Sequence, residues 1–147
     1  MGNGLSADQC LNLRRLAGIM IPPDAQSGLP GADDRVIFDD ILRSLGRDLP
    51  DVSTALARLA AVSGGSFAEL DASRRESVAH AFLAENAPEI VTLGRVILQC
   101  YYRDDRVMRS FGLEPRPPFP KGHVLEQGDW SLLDAVRGRA KLWRDAP

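Results

Sequence analysis

The sequence has little net charge, no long apolar run and only two cysteines. It contains 18 lysines and arginines against 20 aspartates and glutamates, for a formal net charge of −2. A chain so close to neutral has no general attraction to nucleic acid or anionic lipid, so neither is expected as a partner. The longest mainly apolar stretch, residues 90–102, is interrupted by polar side chains. It is also shorter than the roughly 20 residues of a membrane-spanning helix, so no span is predicted.

The cysteines, Cys10 and Cys100, lie far apart in the sequence, and only His80 and His123 could join them as metal ligands. This pattern lacks the paired spacing of a structural zinc site. We expect both to be buried thiols, because a reduced cysteine behaves as a small hydrophobic residue. If the protein is exported to an oxidising compartment, the two become candidates for a disulfide.

Common catalytic motifs are missing as well. The sequence contains no GxGxxG, GxxxxGK[ST], HExxH or GxSxG pattern, so the usual phosphate, zinc and nucleophile sites are not expected. The acidic pairs at 33–34, 39–40 and 104–105 do not have calcium-loop spacing and are expected at helix N-termini or on solvated faces. We therefore predict no catalytic, cofactor-binding or metal-binding residue in this chain.

The sequence does contain signals for six helices between residues 6 and 112. Ser6 and Gln9 have the spacing of a capping box, and Pro22 ends the helix that they begin. Apolar residues recur along this helix at helical spacing, which places Asn12 on the outward side. The other signals are Gly46 ending a second helix, Gly64 and Gly65 ending a third over about 50–62, Asp71 capping a fourth, Pro88 opening a fifth, and Asp104 and Gly112 bounding a sixth.

The fifth helix, residues 89–102, is apolar on almost every side and is predicted to be the most buried. A short link suggests that the fourth helix packs against it. On the sixth helix, Phe111 is expected to point inward. The predicted fold class is all-α, a compact bundle of five to six helices over residues 1–112 in a chain that forms a single domain.

Residues 113–147 have a different character. Four prolines between 115 and 120 favour extended backbone, and no helical period is evident, so we predict an extended arm. Its aromatic and aliphatic content is too high for a solvated tail. The arm either wraps its own bundle or lies on a partner protein. The basic residues near its end, from Arg137 to Arg144, are expected to belong to a solvated tail, with nucleic-acid contact as the alternative.

Several side chains are candidates for partner contact. Tyr101, Tyr102 and Arg103 close the fifth helix, and tyrosine and arginine are enriched at protein interfaces. The alternative is that the tyrosines are half-buried at the end of a core helix. In the arm, Phe119 and Trp130 are predicted anchors for a partner.

His123 lies in a loop of the arm, where a polar ring can contact a partner or a ligand. It also defines a rival hypothesis, in which the chain is a stand-alone ligand-binding protein or enzyme. In that case His123 would act with an acidic neighbour such as Glu126 or Asp129.

The order of several short motifs resembles the gluconate 2-dehydrogenase subunit 3 family. The motifs are LSADQ at 5–9, IPPD at 21–24, FAELD at 67–71, QCYY at 99–102 and PPFPKGH at 117–123. Each is weak alone, and their order carries the resemblance, which covers roughly residues 5–133. The resemblance implies a noncatalytic small subunit that binds and stabilises a large flavoprotein dehydrogenase acting on a sugar, a polyol or another alcohol.

The resemblance further implies that FAD and the active site belong to the large subunit, with a cytochrome as a possible electron acceptor. Many members of the family carry a twin-arginine leader, and no such leader is evident in residues 1–6. As written, the sequence favours a cytoplasmic location. A periplasmic location is expected if a leader was removed or if the partner supplies it.

Overall fold

The computed structural model describes residues 4–117, 121–122 and 124–140. Seven helices and no strand occur in this part of the chain, so the predicted all-α fold class is confirmed. The contacts divide the chain into two units, Met1–Pro115 and Arg116–Pro147. The first unit contains α1 (Ala7–Met20), α2 (Arg35–Ser44), α3 (Leu49–Ser63), α4 (Ala72–Ala84), α5 (Pro88–Tyr102) and α6 (Asp105–Ser110). The second contains α7 (Asp134–Arg137).

Local capping chemistry fixes most of the helix ends. The predicted capping box is present at the start of α1, where the Gln9 amide donates to Ser6 Oγ at 3.1 Å and the Ser6 amide donates to Gln9 Oε1 at 3.0 Å. The Asp71 carboxylate caps α4, and Pro88 is the first residue of α5. α3 ends at Gly64, whose positive φ of 72° is readily adopted by glycine.

The core lies where α5 packs between α2 and α3, and α3 also contacts α1 and α4. As predicted, α5 is central and has more buried residues than any other described helix, although not every side of it is covered. Its inner side is buried, but Val91 and Leu98 on another side are 49% and 42% exposed. The two residues are seven positions apart, so they lie on the same face of the helix. This outer face remains accessible in the structure.

α4 packs mainly on α3 and α1, so the expectation that it pairs with α5 is not met. The turn between α4 and α5 contains Asn86 in the left-handed conformation, with φ of 51°. Arg58 of α3 forms ion pairs with Glu85 before this turn and with Glu89 after it, the second at 3.2 Å. The turn is therefore tied to α3, which both helices contact.

Asn12 was expected on the outward side of α1 but is only 1% exposed. Its Oδ1 atom accepts hydrogen bonds from the Ala68 amide at 2.8 Å and from Ser66 Oγ at 3.2 Å. Its Nδ2 atom donates to Asp8 at 3.0 Å. Asn12 thus joins α1 to the connection between α3 and α4, which contains the 3₁₀ turn Phe67–Glu69.

Phe111 was expected to point into the core but is 61% exposed. α6 is only six residues long, and its inward contact is made by the buried Val107. The chain then reverses at Gly112, where φ is 72° and the Leu113 amide donates to the Met108 carbonyl at 3.1 Å. Phe111 precedes this reversal and lies outside the core.

The second unit is not fully extended, contrary to the prediction for residues 113–147. A 3₁₀ turn, Trp130–Leu133, leads directly into α7. Asp129 caps this segment by accepting a hydrogen bond from the Ser131 amide at 3.0 Å. The segment is too short for its helical period to stand out in the sequence. Phe119 and His123 lie outside the described residues.

Candidate partner-binding surface

One end of the first unit presents a cluster of exposed apolar side chains. Tyr102 closes α5 and Phe111 follows α6, and their ring centroids are 6.1 Å apart. Tyr102 is 55% exposed, Phe111 is 61% exposed and the nearby Leu113 is also exposed. We call Tyr102, Phe111 and Leu113 the aromatic patch. Adjacent exposed aromatic side chains are typical of protein interfaces.

Tyr101, predicted as a contact residue, belongs instead to the core. It is 5% exposed, and burial raises the pKa of its phenol. Its ring packs edge-on against Tyr102, with centroids 5.3 Å apart. Tyr101 therefore supports Tyr102 from below rather than offering a surface of its own.

Arg103, the third predicted contact on this helix, is bonded within the chain. Its Nε donates to Asp40 Oδ2 at 2.6 Å, and Nη2 contacts Ser44 and lies 3.5 Å from Cys100 Sγ. The bond to Asp40 raises the pKa of Arg103. The guanidinium joins the end of α5 to α2, and about half of its side chain stays exposed beside the aromatic patch.

The structure holds Cys10 and Cys100 as thiols. Cys100 is buried beneath Arg103, and burial raises the pKa of its thiol above the ordinary value. A thiol with a raised pKa is a poor nucleophile. Cys10 is half-buried on α1. A disulfide in an exported form of the protein stays a prediction.

A second arginine, Arg106, connects α6 to α2. It bonds Asp34 Oδ1 at 2.7 Å and Asp104 at 3.0 Å. These two aspartates also cap the N-termini of α2 and α6, as expected for the acidic pairs that contain them. Hydrogen bonding to Arg106 lowers the pKa of both carboxyl groups. Arg106 therefore positions α6, and with it Phe111.

Replacing Arg106 with glutamine should lower the free energy of unfolding by about 1 kcal/mol at neutral pH. Because the pKa values of Asp34 and Asp104 are lower in the folded state, their contribution is present above the unfolded carboxyl pKa of about 3.9 and is lost as the pH falls through the folded values. The difference between wild type and variant should shrink in acid, as measured by urea unfolding from pH 7 to 3. An equal effect from Arg35→Gln, which is more exposed, would contradict this role for Arg106.

An apolar groove of about 390 Å³ runs along the outer face of α5. The residues that line it include Leu83, Ile90, Val91, Gly94 and Leu98. A Cβ atom added at Gly94 would lie 3.7 Å from Met20 Cε, an ordinary van der Waals distance, so an alanine would fit at this position. Tyr102 lies four residues beyond Leu98, and the apolar stripe of α5 therefore reaches the aromatic patch.

Sequence analysis did not identify several exposed apolar residues, among them Val91, Leu98, Phe111 and Leu113. For α5 a signal did exist, because Val91, Leu98 and Tyr102 recur at helical spacing on the side opposite the core residues. For Phe111 there was none, since the six-residue helix that carries it is too short to define a face.

Of the two histidines, only His80 lies in the described residues, where it is exposed on α4 and its Nε2 is 3.9 Å from Glu76. Within the same residues, no group of three or more histidine, cysteine, aspartate or glutamate side chains is arranged to hold a metal ion. No helix in this part of the chain is both long and apolar enough to cross a membrane.

Comparisons with protein-family models, with characterised proteins and with solved structures found no match for this chain. The exposed surfaces and the order of the sequence motifs are therefore the observations from which a function can be inferred.

Proposed function

We propose that this chain is a noncatalytic small subunit that binds and stabilises a large FAD-dependent dehydrogenase acting on a sugar, a polyol or another alcohol. The observation that carries the binding role is the aromatic patch, where Tyr102 and Phe111 lie 6.1 Å apart and are both more than half exposed. The class of partner comes from the resemblance to the gluconate 2-dehydrogenase subunit 3 family.

In this proposal catalysis and stabilisation belong to two different chains. The large subunit holds FAD and the reacting alcohol, and passes electrons to an acceptor such as a cytochrome. The small subunit covers apolar surface of the large one and shifts its folding equilibrium toward the native state by mass action. Two charged side chains of this region, Arg103 and Arg106, are compatible with burial in an interface, because each is already bonded to an aspartate within the chain.

The aromatic patch is well suited to binding because its two rings already contact each other. Tyr102 is held between the edge of Tyr101 and the ring of Phe111. Little rotamer entropy is then lost on association, which favours affinity. Burying large aromatic rings at the centre of an interface typically contributes most of its free energy.

Replacing Tyr102 with alanine should weaken binding to the large subunit by about 5- to 30-fold, since truncating an anchor residue typically costs about 1–2 kcal/mol. The Kd can be measured by titrating the tagged small subunit against the purified flavoprotein. The matched control is Leu11→Ala, which truncates an exposed apolar side chain on α1. Equal Kd values for Tyr102→Ala and wild type would remove the aromatic patch from the interface.

The proposed function itself is tested by co-expression. The chain is tagged and expressed with and without a candidate large flavoprotein dehydrogenase from the same genome, and the purified material is analysed by mass and visible flavin absorbance. A yellow complex of defined stoichiometry, with the large subunit soluble only when both are expressed, is the expected result. A colourless chain that ignores the flavoprotein, or one that oxidises alcohols alone, would overturn the proposal.

A further inference from the structure

We draw no further inference here: the strongest candidate, the apolar groove along the outer face of α5, is an unpartnered surface of the first unit, and nothing in the structure shows what covers it.

Discussion

Replacing Asn12 with alanine should lower the free energy of unfolding by about 3 kcal/mol. The side chain is almost completely buried and bonds the Ala68 amide, Ser66 and Asp8. Alanine would leave the Ala68 amide without its side-chain acceptor, and a buried unsatisfied group costs roughly 1–3 kcal/mol. The lost packing volume adds to this cost. Urea unfolding followed by circular dichroism measures the change.

A double-mutant cycle with Ser66 separates the contribution of the hydrogen-bond network to the free energy of unfolding from the contribution of packing. Ser66→Ala removes one donor to Asn12 at the less buried edge of the network and should cost less than 1 kcal/mol. Because the two side chains are bonded to each other, the double variant should cost less than the sum of the single variants. Strict additivity, or an Asn12→Ala effect no larger than that of Ser66→Ala, would show that the network does not stabilise the fold.

Helix ends were predictable because their signals are local. Ser6 caps α1 and Asp71 caps α4 through bonds to amides three residues away, and Gly64 and Gly112 end helices because their positive φ angles favour glycine. Such interactions are encoded within four or five neighbouring residues. The same signals appear in the sequence and in the structure.

Burial was harder to predict because it depends on what packs against each side of a helix. The helical pattern of α1 predicted Asn12 at the surface. In the structure, the connection between α3 and α4 supplies donors for its amide oxygen. Val91 and Leu98 looked like core residues, but α2 and α3 cover only part of α5. Neither outcome is encoded by the hydrophobic period of one helix. Both depend on contacts between residues far apart in sequence.

Burial also separates the residues that were predicted to contact a partner. Tyr102 and Trp130 are exposed, whereas Tyr101 is buried by neighbouring helices. Contact of Tyr102 and Trp130 with a partner stays a prediction. Phe111 was assigned to the core and instead joins the aromatic patch, because α6 ends one residue before it. Aromatic content alone could not separate these cases, since an aromatic ring stabilises a core and an interface by the same burial of area.

The first unit therefore contains two kinds of aromatic side chain, buried and exposed. Phe67 and Phe82 are fully buried and hold the helices together. Tyr102 and Phe111 are exposed, and in the proposed function they are buried only when the large subunit binds. Removing a ring of the first kind should affect folding, and removing one of the second kind should affect association.

Phe67→Ala and Phe111→Ala make the same chemical change at these two kinds of site. Phe67 is 0% exposed, so its replacement should lower the free energy of unfolding by about 3–5 kcal/mol through lost burial and a residual cavity. Phe111→Ala should change it by no more than about 0.5 kcal/mol, because the ring is mostly in solvent. Urea unfolding of both variants measures the difference, and Phe67→Leu gives a milder core variant if Phe67→Ala does not fold.

Replacing Phe111 should affect binding more than replacing Phe67, which is the opposite of their effects on stability. Phe111→Ala should raise the Kd for the large flavoprotein subunit several-fold, because it removes the ring that supports Tyr102 in the aromatic patch. Phe67→Leu should leave the Kd of the folded fraction unchanged. If Phe111→Ala instead unfolded the chain, the ring would be part of the core. If it changed neither stability nor affinity, the aromatic patch would lose its role and the proposed interface would have to lie elsewhere on the chain.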